Sequence, residues 1–108
     1  MDAARPIVTF DAVRAAARRI AGRVHRTEVR TSATLDRELS ARVFFKAENL
    51  QKCGAFKARG ATNAVMALSD DEAKRGVITH SSGNHAAALA YAAQSRGIAC
   101  AVVMPKTA

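Results

Sequence analysis

The sequence predicts an α/β fold built round a parallel sheet, on three observations. Val77-Ile78-Thr79 reads as a short strand. Ile98 to Val103 is continuously apolar, the mark of a strand buried on both faces. Between them a helix runs from about His85 to Arg96, and Gly97 ends it. Strand, helix and strand over 77–103 make one right-handed βαβ unit with parallel strands. Ligands in such sheets bind beyond the carboxyl ends of the strands, and the His80-Ser81-Ser82-Gly83-Asn84 loop lies at such an end.

The elements before this unit follow from shorter signals. Residues 10–21 are expected to be helical. Val13, Ala16, Ala17 and Ile20 repeat at helical spacing, with Arg14 and Arg18 opposite. Thr9 can cap the start, Asp11 suits the positive end of the dipole, and Gly22 can end it. Residues 25–40 are mixed and polar and predict no firm element. Val43 to Ala47 alternates as a strand, with Val43, Phe45 and Ala47 on one face. Gln51 to Ala55 is a turn, followed by a helix from about Phe56 to Leu68 with Ala61, Ala64, Val65 and Leu68 as its apolar stripe. Ser69-Asp70-Asp71-Glu72 is a capping box for a short helix that stops before Gly76.

Composition excludes several classes. The chain has 108 residues, 49% of them apolar, too apolar for a disordered chain. Nothing approaches ~20 consecutive apolar residues, so no membrane-spanning helix is expected, and no secretory signal is expected either. Cys53 and Cys100 form no CxxC, so reduced thiols and a cytoplasmic location are expected. Seventeen Lys+Arg against nine Asp+Glu leave a net charge of +8. The early cluster Arg14, Arg18, Arg19, Arg23, Arg26 and Arg30 raises nucleic acid as a partner. No aromatic residue interleaves it for base stacking, and Asp2 and Asp11 argue against a targeting segment. A solvated helix face is the favoured reading, with neither nucleic acid nor membrane as partner.

Two constellations can carry chemistry. Lys57 lies on the same helical face as Ala61 and Ala64, whereas Arg59, Thr62, Asn63 and Met66 face the other way. It is therefore expected to point inward at a helix start, where desolvation and the dipole favour the neutral amine. Such an amine can attack a carbonyl and form a Schiff base. The plainer alternative is a first-turn lysine reaching back to water. The second constellation is Ser81-Ser82-Gly83-Asn84-His85. Its glycine and free N–H groups offer a cradle for a carboxylate or phosphate. The plainer alternative is a βα turn with Ser or Asn as helix cap. His80 and His85 stand five apart with no third ligand, so no metal is expected. Cys53 has no paired histidine and is expected to be a small buried side chain. GxSxG, HExxH and GxGxxG motifs are absent.

The segment from Phe45 through Lys46-Ala47-Glu48-Asn49-Leu50-Gln51-Lys52-Cys53-Gly54-Ala55-Phe56-Lys57-Ala58-Arg59-Gly60 to Ala61 resembles the lysine segment of the serine/threonine dehydratases. Thr79-His80-Ser81-Ser82-Gly83-Asn84-His85-Ala86 resembles their Ser-x-Gly-Asn-His loop. That family includes threonine ammonia-lyases and serine racemases, on the fold-type-II pyridoxal phosphate scaffold. The resemblance covers nearly the whole chain from about residue 8. It implies a truncated three-layer α/β sandwich like that of the tryptophan synthase beta chain, with 1–76 in the large domain and 77–108 beginning the small one.

The resemblance also implies roles. Lys57 would carry pyridoxal 5'-phosphate as a Schiff base, Phe56 would pack on its ring, and Asn84 would bond the ring hydroxyl. Ser81, Ser82, Gly83, Asn84 and His85 would bind the substrate carboxylate. The activity implied is an ammonia-lyase turning L-threonine or L-serine, a small hydroxy amino acid, into a 2-oxo acid and ammonia, with Lys57 taking the Cα proton. Ser82 stands where many threonine ammonia-lyases carry Ala. A serine there can act as acid or base on the opposite face, so a racemase is the runner-up. Glu28, Cys53 and Ala55 depart from the family pattern, where Pro, Thr and Ser are common. The resemblance makes this chain an N-terminal fragment of a homo-oligomeric parent, with an inactive fragment or a basic binding module as a further alternative.

Overall fold

The structure is a computed structural model that describes residues 8–108. Residues 1–7, Asp2 among them, lie outside the described residues. Helix α1 (Phe10–Ile20) starts where Thr9 turns extended and its Oγ1 accepts the N–H of Ala12 at 3.1 Å. Asp11 sits in its first turn and Arg18 and Arg19 in its last, the placement the helix dipole favours. Val13 and Ala17, expected to face inward, are exposed, while Ala15, Ala16, Arg19 and Ile20 are half-buried. The helix packs chiefly against the segment that carries Asn63, whose Oδ1 accepts from Arg19 Nη1, and its covered arc lies on that side.

Strand β1 (Val29–Arg30) pairs antiparallel with β2 (Phe45–Lys46), with Val29 opposite Lys46. The expected strand over 43–47 thus contracts to two residues. Between these strands lies a helix no periodicity announced, α2 (Ala33–Leu39). Ser32 Oγ accepts the N–H of Leu35 at 3.3 Å, and Ser40 closes it in the left-handed region.

Helix α3 (Lys57–Ala67) follows two short 3-10 turns, Glu48–Leu50 and Lys52–Gly54. Helix α4 (Asp70–Lys74) carries the expected capping box: Ser69 Oγ accepts from Glu72 N at 3.2 Å, and Ser69 N donates to Glu72 Oε2 at 2.8 Å. Gly76 then takes a φ of +74°, and a Cβ there would stand 2.7 Å from the carbonyl oxygen of Ala99. Only glycine lets the chain pass so close at that dihedral.

Strand β3 (Val77–His80) runs parallel to β4 (Cys100–Val103), in register from Val77 opposite Cys100 to His80 opposite Val103. Helix α5 (Asn84–Arg96) crosses between them, and Gly97 ends it at φ +73°. The core is a seam between α3 and α5, formed by Ala61, Val65, Ala88, Leu89 and Ala92, with Val77 and Ile98 against it. Small residues let the helices approach closely. The double-sided burial expected for 98–103 is not seen: Cys100, Ala101 and Val103 are exposed, as is Ile78. Among the described residues β4 pairs only with β3, and α5 packs against the two strands.

The buried arc of α3 also differs from expectation. Ala58, Ala61, Thr62 and Val65 are buried, whereas Ala64 is exposed. The helix packs on α5 and α1 together, and the covered arc centres between those neighbours. Thr62, expected to face out, is fully buried, and nothing in the structure explains why its Oγ1 has no hydrogen-bond partner.

Candidate functional site: the lysine turn and the serine-glycine-asparagine bend

Both constellations lie at one end of the α3–α5 seam. At that end Cys53 Sγ donates to the carbonyl of Ala87 in the first turn of α5, at 3.6 Å. At the other end Arg96 donates to the carbonyl of Val65 and, at 3.3 Å, to Asp70. The two helices therefore run in the same direction. Lys57, the first residue of α3, and Asn84, the first of α5, share the end at which β3 also finishes.

The turn before Lys57 is tied down by polar side chains. Gln51 is buried. Its Oε1 accepts from the N–H groups of His25 at 2.8 Å and Lys52 at 2.9 Å, and its Nε2 donates to the carbonyl of His25 at 2.8 Å. Arg59 grips both carboxylate oxygens of Glu48 through Nε and Nη2, and Nη2 also donates to the His25 carbonyl at 3.3 Å. Thr27 Oγ1 donates to Glu48 Oε2 at 2.8 Å. The hydrogen bond from Arg59 holds the Glu48 carboxyl down to about 2, against a smaller opposing pull from burial, and the Thr27 hydroxyl adds to the lowering. Cys53 and Gly54 both take positive φ, 58° and 67°, turning the chain toward α3.

Lys57 itself is exposed, not inward-facing. The covered arc of α3 begins one residue later, at Ala58, so the desolvation expected from the shared face does not arise within this chain. Its Nζ lies 5.7 Å from the centroid of the Phe56 ring, which is exposed too. Cys53, expected to be buried, is exposed, and neither it nor Cys100 forms a disulfide.

The bend at 81–85 is held by less. Ser81 N donates to the carbonyl of Val103 at 3.0 Å, which pins the bend to the end of β4. Ser81 Oγ accepts from the N–H groups of Gly83 and Ala86, each at 3.3 Å, and so caps α5 from outside the usual cap position. The plainer reading of the bend as a serine-capped turn therefore holds for Ser81. Among the described residues, the N–H groups of Ser82, Asn84 and His85 and the hydroxyl of Ser82 make no hydrogen bond. Gly83 has φ −136°, and a Cβ there would meet nothing within 4 Å. Neither strain nor packing within the chain calls for glycine at 83, and the space above it is open to a ligand. Ser82, Gly83 and Asn84 are exposed, and His85 is half-buried. The shared end thus carries an exposed primary amine and a set of free helix-start donors, groups of the kind that can hold an anion.

The network round Gln51 was not legible as a site. Glu48, Gln51 and Arg59 stand inside the lysine segment, but their common partner, the His25 peptide, is 26 residues upstream of Gln51.

Residues 20–108 match the family described as pyridoxal-phosphate dependent enzyme. The chain is 56% identical over 102 residues to the beta-hydroxyaspartate dehydratase of Paracoccus denitrificans, covering 94% of this chain and 32% of that protein. The solved structure of maize serine racemase superposes with a TM-score of 0.86 at 52% identity, covering 90% of this chain and 30% of that one. The L-threonine ammonia-lyase of Thermotoga maritima is 43% identical over 102 residues, covering 94% of this chain and 25% of that protein. The chain thus spans between a quarter and a third of the length of these relatives.

Proposed function

The chain belongs to the pyridoxal-phosphate dependent enzymes, among relatives that are dehydratases and racemases, and we propose that it serves a dehydratase acting on a β-hydroxy amino acid. The substrate proposed is L-threonine or L-serine, leaving as a 2-oxo acid and ammonia. The observation that carries this reading is the shared end of α3 and α5, where an exposed amine stands with a bend whose N–H donors are free.

The residues present suit the cofactor. Lys57 offers an accessible Nζ for its aldehyde, Phe56 an exposed ring beside that amine, and Asn84 a side-chain amide at the first turn of α5. The open space over Gly83 is what a bound ligand needs. When bound, the group supplies an electron sink for the pair left on the substrate Cα. The rest falls to the chain. The N–H groups of Ser82, Asn84 and His85 hold the substrate carboxylate. Lys57 Nζ would take the proton from Cα and pass it to the β-hydroxyl, which leaves as water, and a second water would hydrolyse the resulting enamine to the 2-oxo acid and ammonia. The division at residue 76 into parts of a large and a small domain, a homo-oligomeric assembly and a cytoplasmic location belong to the same proposal. Among the described residues no helix is long and apolar enough to cross a membrane.

Racemisation of serine is the second reading. The hydroxyl of Ser82 favours it, being exposed and unbonded where that of Ser81 caps a helix. Protein from the full coding sequence, supplied with pyridoxal phosphate, is assayed with L-threonine, L-serine and 3-hydroxyaspartate for oxo acid, ammonia and D-amino acid. Lys57→Ala is expected to lower turnover by about three orders of magnitude or more. A Lys57→Ala protein that still deaminates overturns the reading, and D-serine without oxo acid favours the racemase.

A further inference from the structure

The side chains of residues 51 and 59 flank the segment that carries Lys57, and they meet at one point. Gln51 Nε2 and Arg59 Nη2 both donate to the carbonyl of His25, and both reach Glu48 Oε2, at 3.4 and 3.2 Å. The chain from 52 to 58 is thereby closed into a loop fastened at both ends to the same peptide. That loop contains two consecutive positive-φ residues, Cys53 and Gly54, a conformation a side chain at 53 disfavours and neighbours must hold in place. It ends with Lys57 in the first turn of α3, at the end that faces the bend. Gln51 is 4% exposed, and its side chain bonds both the N–H and the C=O of one distant residue, as a partner strand would.

We propose that Gln51, together with Glu48 and Arg59, forms a positioning clasp for the Lys57 amine. It touches no reacting atom. It sets where the amine stands relative to the Ser81–His85 bend, and releasing either end of the 52–58 loop frees the amine to wander. The depressed pKa of Glu48 keeps the clasp ionised across the neutral range. This proposal rests on the functional reading above and adds the residues that make the amine's position unique.

The test uses protein from the full coding sequence as wild type, Gln51→Ala and the milder Arg59→Lys, with pyridoxal phosphate. Two readouts besides turnover are taken: the rate at which borohydride fixes a pyridoxyl group on Lys57, mapped by peptide mass, and amide hydrogen exchange over residues 52–58. Gln51→Ala is expected to exchange faster in that segment and to label Lys57 about tenfold more slowly, with kcat falling by a similar factor and KM little changed. Arg59→Lys is expected to fall between it and wild type. A wild type that takes label on Lys57, with both variants labelled at its rate despite faster exchange, overturns the clasp alone and leaves the network merely structural. A wild type that takes no label on Lys57 overturns the functional reading and the clasp with it.

Discussion

The lysine turn and the serine-glycine-asparagine bend share one end of the helix seam, yet they are held in opposite ways. Residues 48–59 are cross-linked by side chains: Glu48 accepts from Gln51, Arg59 and Thr27, and Gln51 and Arg59 both bond the His25 peptide. Residues 81–85 are held by backbone bonds from Ser81 to Val103 and from Ala87 to Gly83 and by one serine hydroxyl, and among the described residues the N–H groups of Ser82, Asn84 and His85 are free. On the proposed function, the contrast follows from what each would do. An amine at the tip of a four-carbon side chain has many rotamers, so its backbone has to be rigid for it to be placed at all. A cradle has to keep its N–H groups unpaired until an anion arrives. Side-chain hydrogen bonds are therefore concentrated in the first segment and free N–H donors in the second.

That contrast can be tested by substitution, beginning where the effect is greatest. Glu48→Ala leaves a half-buried guanidinium without its carboxylate and takes an acceptor from Thr27 and Gln51. It is expected to cost about 3 kcal/mol in urea unfolding. A loss under ~1 kcal/mol would mean that the two segments are equally tethered. Acid probes the same carboxylate without mutation. Its pKa is lowered from 4.5 to about 2 in the folded chain. A depressed carboxyl stabilises the fold above its unfolded value and loses that contribution as pH falls. Stability is thus expected to be level above about pH 5 and to decline by about 2–3 kcal/mol between there and pH 2. Glu48→Gln should flatten that slope, which stability curves collected at several pH values will show.

In the bend the expected effects are smaller. Ser81→Ala removes the acceptor for two N–H groups at the start of α5 and is expected to cost about 1 kcal/mol by thermal denaturation. Ser82→Ala removes a hydroxyl that bonds nothing, so stability should stay within about 0.5 kcal/mol. Any racemisation of serine should then disappear before elimination does, which chiral chromatography of the products resolves. If Ser82→Ala destabilised as much as Ser81→Ala, its hydroxyl would have a structural partner and the division of labour between the two serines would fail.

Much of the scaffold was legible because its signals are local. Thr9 before α1, Ser69 with Glu72 at α4 and Gly97 after α5 act on backbone groups within a few residues, and each does what its position predicts. The parallel pairing of 77–80 with 100–103 was legible too, since a helix of 13 residues between two short strands leaves few alternatives. Helix α2 was not, because its seven residues show no apolar period and only Ser32 announces it. The buried face of α3 departs from its periodicity for a different reason. Periodicity shows that residues three and four apart share a side, but two neighbours, α5 and α1, choose which side is covered. That choice buried Thr62 and left Ala64 and Lys57 in the open.

The order of residues alone determined the caps, the turns, the βαβ unit and the two segments that resemble the family's motifs, because each depends on spacing within a short stretch. The folded chain decided which arc of α3 is buried. It also decided that the ends of α3 and α5 coincide and that Gln51 and Arg59 converge on a peptide far upstream. Those outcomes depend on contacts between residues 26 or more positions apart, and no local period encodes a distance across the fold.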